Sequence, residues 1–218
     1  MKVFVTATGT GVGKTWLTTQ LTRALVSRGR HVAALKPIET GCDPDAHDAL
    51  ALATAAGRLE LADAPGFHRG RLPRAPYAAT LAGDPPPPAL EHLVDACTRA
   101  AEGADDVLVE GAGGLLVPYD ANLDLADLAK ALRFPILVVA PNVLGTLSHV
   151  RTAIESARAR GLRVAAIALN EVAPDADPAA EHHERILQER SAIPVIRVPH
   201  AAGINDPSIR ELLRILGT

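Results

Sequence analysis

Residues 3–15 read Val3-Phe4-Val5-Thr6-Ala7-Thr8-Gly9-Thr10-Gly11-Val12-Gly13-Lys14-Thr15. An apolar strand runs into a glycine-rich turn. Lys14-Thr15 then opens a helix in which Leu17, Leu21 and Leu25 recur at helical spacing. This order aims the N–H groups of the turn, a helix N-terminus and a lysine at one spot, and a polyphosphate is the ligand that needs all three. The Thr15 hydroxyl falls where a phosphate-bound Mg²⁺ would be held. A tight strand-to-helix turn would explain Gly9, Gly11 and Gly13 but not Lys14-Thr15. The motif therefore predicts a nucleoside triphosphate site over Thr10, Gly11, Val12, Gly13, Lys14 and Thr15.

The form of the loop narrows the choice further. Thr8 stands where the usual Gly-x4-Gly-Lys-Thr has its first glycine, so the chain fits the variant longer by one residue, beginning at Ala7. Partition and septum-site ATPases carry a second lysine at the sites held here by Gly9 and Thr10. Its absence argues against a dimerising switch ATPase.

Outward from the loop, apolar runs alternate with helical patterns. Strands are expected at 2–8, 31–36, 106–110, 135–140, 163–169 and 194–198. Helices are expected at 14–28, 45–56, 89–101, 123–132, 146–160, 178–190 and 206–216. Runs such as Pro135–Ala140 are apolar on both faces, as strands covered by helices require. The alternation predicts an α/β fold: one domain over residues 1–218, with a doubly wound, mainly parallel sheet of about seven strands. Residues 57–88 are the least regular part, with only weak helical signal at 76–82, and Pro85–Pro88 reads as a stiff approach to the next helix.

The composition of the 218 residues suits one buried α/β core, with 48% apolar residues. A net charge of −3 gives no general reason to bind nucleic acid or an anionic membrane surface. No apolar run approaches the roughly 20 residues that span a bilayer. Lys2 already belongs to the first strand, so no signal peptide is expected. Cys42 and Cys97 are too few for a disulfide framework or a zinc site, which fits a cytoplasmic protein. Lysine is scarce: Lys2, Lys14, Lys36 and Lys130 stand against eighteen arginines. Lys14 and Lys36 are the two placed for chemistry that needs a compact cation.

In a doubly wound sheet, ligands sit outside the carboxyl ends of the strands. Glu110 ends one buried strand and is followed by Gly111-Ala112-Gly113-Gly114, an open turn that lets a ligand approach the backbone. A carboxylate there can reach the Mg²⁺ held by Thr15. Asp105 and Asp106, at the other end, read as turn residues. Lys36 ends the second strand and leads into Thr40-Gly41. Asp48, near a helix start, is either a cap or a second Mg²⁺ ligand. Asn170 closes another strand; it either pairs with an adenine edge or turns the chain. The segment Gly145-Thr146-Leu147-Ser148 starts a helix that either receives a carboxylate or is capped by Thr146. The eight histidines show no metal-like spacing.

These residues together resemble the dethiobiotin synthetase family over essentially the whole chain. The matching elements are Thr8–Thr15, Lys36-Pro-x-x-Thr-Gly41, Asp48-Ala-Leu, Glu110–Gly114, Leu144-Gly-Thr146 and Asn170. The resemblance implies ATP-dependent ring closure of 7,8-diaminopelargonic acid with CO₂ (bicarbonate) in a cytoplasmic homodimer. It implies Lys14 and Lys36 as catalytic residues and Thr15, Asp48 and Glu110 as ligands of Mg²⁺. Asn170 and Pro199 would join the phosphate loop in binding the nucleotide. Thr10, Lys36, Thr40 and Gly111–Gly114 would line the substrate, with Gly145, Thr146, Leu147 and Ser148 of a partner subunit on its tail carboxylate. The chain departs from the family at Ala7, Val143 and Ser148. Cobyrinic-acid-type amidotransferases share the loop and the Glu-Gly-Ala-Gly strand end, but neither cysteine has the length around it for their glutaminase domain.

Overall fold

The structure, a computed structural model, describes residues 1–175 and 177–217. Six parallel strands form the central sheet: β1 (Lys2–Ala7), β2 (Val32–Leu35), β5 (Asp106–Gly114), β6 (Ile136–Pro141), β7 (Val164–Asn170) and β8 (Val195–Val198). Their order is β2-β5-β1-β6-β7-β8. The sheet is thus one strand short of the expected seven. Instead, β3 (Ile38–Thr40) and β4 (His68–Gly70) pair with each other in a separate two-stranded sheet.

Side chains alternate across the strands, so each strand feeds two cores. Val3 and Val5 of β1 face α1 (Lys14–Val26) and α8 (Pro207–Leu216), meeting Leu17, Leu21, Ile209 and Leu213. Phe4, Val107 and Val138 face the other way, toward α4 (Leu90–Ala100), α5 (Leu125–Leu132) and α6 (Thr146–Ala159) through Leu93, Leu128 and Ile154. Removing so many large side chains from water is the main force holding the layers together. Helix α2 (His47–Ala56) lies against β2 and α1. The expected helix at 178–190 divides into a 3₁₀ turn, Pro178–Ala180, and α7 (His183–Ser191).

The irregular segment is more ordered than its prolines suggested. Its 3₁₀ turn Leu59–Asp63, strand β4 and helix α3 (Pro76–Leu81) fold it back along β3. Asp106 also departs from the sequence reading. It is no turn residue but the fully buried first residue of β5, bonded to the Met1 amino group and to Arg30 Nε at 2.7 Å each.

β1 lies between β5 and β6, its chain continuing to β2 on one side while later strands build the other. The crevice at the carboxyl end of this switch point is the place where such sheets bind ligands.

Candidate functional site

The turn after β1 is shaped by two glycines with positive φ, Gly11 at 74° and Gly13 at 84°. Such angles cost little only without a Cβ. At Gly13 there is also no room for one, since it would lie 2.1 Å from Asn170 Nδ2. That nitrogen donates to the Val12 carbonyl at 2.9 Å, tying the loop to the end of β7. Asn170 Oδ1 is buried without a partner among the described residues. Gly13 is the N-cap of α1 and supplies no capping side chain, so the first N–H groups of the helix stay available for an anion. Ala7 causes no strain, because it remains the last residue of β1, paired with Gly114 and Val139.

Beneath the loop lies a buried charge cluster. Glu110 Oε1 accepts from Lys36 Nζ at 2.6 Å, from Thr15 Oγ1 at 2.7 Å and from Lys14 Nζ at 3.4 Å. Lys36 Nζ donates in addition to Asp48 Oδ2 at 2.9 Å and to the Gly111 carbonyl at 3.3 Å. Burial pulls the Lys36 ammonium toward neutrality, but Glu110 and Asp48 outweigh it and its pKa stands above that of ordinary lysine. Burial pushes the Glu110 carboxyl up, yet Lys36 and Lys14 hold it below the usual range, and Lys36 does the same for Asp48. For Lys14 burial wins, and its pKa is lowered. Lys36 and Glu110 thus face each other fully charged.

The structure separates the two readings of Asp48 geometrically. The start of α2 is capped by Glu39 of β3, whose oxygens accept from the N–H groups of Asp48 and Ala49 at 2.9 and 2.8 Å. The Asp48 carboxylate caps nothing and turns to Lys36. Among the described residues no three His, Cys, Asp or Glu side chains form a metal cage. Mg²⁺, however, is usually bound by one or two carboxylates plus phosphate oxygens. Thr15, Asp48 and Glu110 fit that pattern, and the Glu110 Oε2 atom is buried with no partner among the described residues.

The cluster opens into a cleft of about 650 Å³. Thr10, Lys14, Thr15, Lys36, Thr40 and Asp48 line it, and its far wall is formed by Pro73–Pro76. A second cavity of about 240 Å³ adjoins it across Gly11, Gly13 and Trp16 and is bounded by Asn170, Val172 and His200. A polyphosphate in the loop would therefore have a purine-sized recess on one side and a wider polar space on the other.

Comparison with known proteins places the chain in a family. A family model described as an AAA domain matches residues 1–208. The ATP-dependent dethiobiotin synthetase BioD of Anaeromyxobacter dehalogenans is 42% identical over 81% of this chain and 79% of its own. The enzyme of that name from Caulobacter vibrioides is 41% identical over 85% of this chain and 90% of its own. The chain belongs to the dethiobiotin synthetase family. It is accordingly an enzyme of the ATP-dependent ligase type. Among solved structures, the signal recognition particle receptor FtsY of Elizabethkingia anophelis superposes with a TM-score of 0.58 at 15% identity, covering 99% of this chain and 65% of that one. That likeness concerns the fold alone.

Not every residue expected at a synthetase site comes together in this one chain. Ala112 and Gly113 line the cleft, whereas Gly111 offers its carbonyl to Lys36 and Gly114 pairs with Ala7. Gly145, Thr146, Leu147 and Ser148 border neither cavity. Thr146 does not cap α6; Gly145 holds the N-cap position, and the Thr146 hydroxyl donates to the Pro141 carbonyl. Pro199 is exposed, and its neighbours His200 and Ala201 line the second cavity in its place. Glu39, Trp16 and the Pro73–Pro76 wall escaped the sequence reading. Glu39 lies inside the quoted Lys36–Gly41 stretch and could have been noticed there. Nothing local marks residues 73–76, because only the β3–β4 pairing brings them to the cleft.

Proposed function

We propose that this enzyme closes the cyclic urea of dethiobiotin from 7,8-diaminopelargonic acid, CO₂ and ATP, as one catalytic domain over residues 1–218 working in a cytoplasmic homodimer. The observation that carries the reading is the Lys14–Lys36–Glu110–Asp48 cluster, with one Glu110 oxygen unpartnered, at the junction of a base-sized recess and a wider polar cleft. The phosphate loop and Lys14 hold the triphosphate. Thr15, Asp48 and Glu110 would hold Mg²⁺, which supplies charge neutralisation between the phosphates.

One amine of the substrate takes up CO₂ and releases a proton, giving a carbamate in the cleft near Lys36 and Thr40. A carbamate oxygen bonds to the γ-phosphorus as the bond to ADP breaks. Carbamate and triphosphate are both anions, so fixed cations lower this barrier most. Lys36 is suited to that task because its charge is secured by Glu110 and Asp48. The second amine then bonds to the carbamoyl carbon, the bond to phosphate breaks, and a proton leaves the amine. Neutral amines are already nucleophiles, so no strong general base is required. Asn170 Oδ1 is free to accept from the adenine amino group. The 145–148 helix start would serve the substrate tail carboxylate of the partner subunit.

The test is ADP release with diamine, bicarbonate and Mg-ATP, each omitted in turn. ADP formed only in the full mixture, with an equal amount of dethiobiotin, supports the reading. ADP release indifferent to the diamine overturns it.

A further inference from the structure

The segment between β3 and α4 contains four arginines, and three are occupied. Arg58 pairs with Glu60 at 3.0 Å, Arg69 donates to the carbonyls of Lys36, His68 and Ala62, and Arg71 faces Asp84 at 3.5 Å. Arg74 alone of the four has no ion pair or side-chain hydrogen bond among the described residues, and it is the one that lines the cleft. An exposed arginine is ordinarily just solvated. Here the backbone beneath it is fixed from several directions. The Leu72 carbonyl accepts from Gly41 N–H at 3.1 Å and from Arg74 N–H at 2.8 Å, and Leu72 N–H donates to Asp84 Oδ2 at 2.8 Å. Pro73 packs so closely on Gly41 that a Cβ there would meet it at 3.2 Å.

The charges in the cleft give this free guanidinium a task. Lys14 and Lys36 are both bonded to Glu110, and Lys36 also to Asp48, while Glu39 adds a third carboxylate to the wall. The lysine charges are thus opposed before any substrate arrives. A reaction that sets a carbamate against a triphosphate gains from a further fixed cation beside Lys14 and Lys36, one with no carboxylate partner of its own. Arg74 also stands on a particular side. In the strand order, Asn170 after β7 and Lys36 after β2 flank the phosphate loop on opposite sides, and Arg74 is tied through Gly41 to the Lys36 side. Nucleotide base and acceptor therefore lie in opposite directions from the loop, with Arg74 toward the acceptor.

We propose that Arg74 binds the carboxylate-type oxygens of the acceptor, the carbamate carried by the diamine, before and during phosphoryl transfer. A planar guanidinium can engage both oxygens of such a group at once and hold them toward the γ-phosphate. This assignment rests on the function proposed above.

The experiment compares wild type, Arg74→Ala and Arg74→Lys in dethiobiotin formation, with Mg-ATP affinity measured separately. Arg74→Ala is expected to raise KM for the diamine about tenfold and to lower kcat, with the Mg-ATP Kd within about twofold of wild type. Arg74→Lys should recover only part of the loss, because it keeps the charge but not the fork. An active wild type with an unaltered Arg74→Ala variant overturns the assignment alone. So does a variant weakened for Mg-ATP but not for the diamine, which would put the guanidinium on the triphosphate. A wild type that makes no dethiobiotin overturns the function and this assignment together.

Discussion

Strand β5 carries two fully buried carboxylates, Asp106 at its start and Glu110 four residues on at its middle, and the two are arranged in opposite ways. Each Asp106 oxygen has its own cationic partner, the Met1 amino group on one and Arg30 on the other. Glu110 crowds three donors onto one oxygen and leaves the other bare. Burying an unpaired carboxylate oxygen costs free energy, whereas a closed pair of contacts is stable as it stands. The same residue class, equally deep in one strand, is thus complete at the amino end of the sheet and incomplete at the carboxyl end. The incomplete end is where a doubly wound sheet receives its ligand.

The contrast breaks most visibly at Lys36. Lys36→Ala is expected to lower dethiobiotin turnover by about 1,000-fold or more, since it deletes a buried cation that lines the proposed transfer site. Mg-ATP binding, measured on the same preparation, should persist through the loop and Lys14. Turnover within about tenfold of wild type would remove Lys36 from the chemistry. Glu110→Gln comes next. The amide keeps the shape but loses the charge that opposes two lysines and would attract Mg²⁺, so activity should fall about 100-fold with a raised Mg²⁺ requirement. Unchanged Mg²⁺ dependence would make Glu110 structural, like Asp106.

Asp106→Asn probes the complete end. Loss of the charge leaves Arg30 and the amino group without their partner, and a stability loss of about 3 kcal/mol in denaturant unfolding is expected, with kcat unaltered. The pH dependence has a definite sign. Burial raises the Asp106 pKa, but Arg30 and the amino terminus more than offset this and hold it below the unfolded value. Its stabilisation is therefore fully present above the ordinary carboxylate range and is lost as the pH falls through the folded value. The wild type should lose stability on acidification more steeply than Asp106→Asn does. Parallel curves would show that the pair contributes nothing.

What could be read from the chain alone follows the same division. Lys14, Thr15, Glu110 and Asn170 were legible because each lies at the end of an apolar run, where local spacing already fixes which sheet edge it occupies. Six strands and most helix positions followed from the same periodicity. Asp106 was misread because its neighbours, the amino terminus and Arg30, are distant in sequence, so its local pattern is only that of an acidic turn. Asp48 stayed ambiguous for a similar reason: the group that frees it from capping, Glu39, acts across a loop. Arg74 depends on β3 pairing with β4, two strands of three residues each. Strands that short leave almost no alternation to detect.

The smallest effect is expected at Asn170, which combines both arrangements in one side chain. Its Nδ2 is used, donating to Val12, while Oδ1 is buried and free. If the free oxygen accepts from an adenine amino group, Asn170→Ala loses one base contact and one loop contact, and ATP affinity should drop about tenfold. GTP has a carbonyl where ATP has the amino group, so it forfeits only the loop contact. The preference for ATP over GTP should then shrink toward unity, as binding titrations of both nucleotides to wild type and variant would show. If both affinities fall by the same factor, the oxygen reads no base. The role of Asn170 would then be complete in the structure as it stands, as that of Asp106 is, and the recess beside it would owe its selectivity to shape.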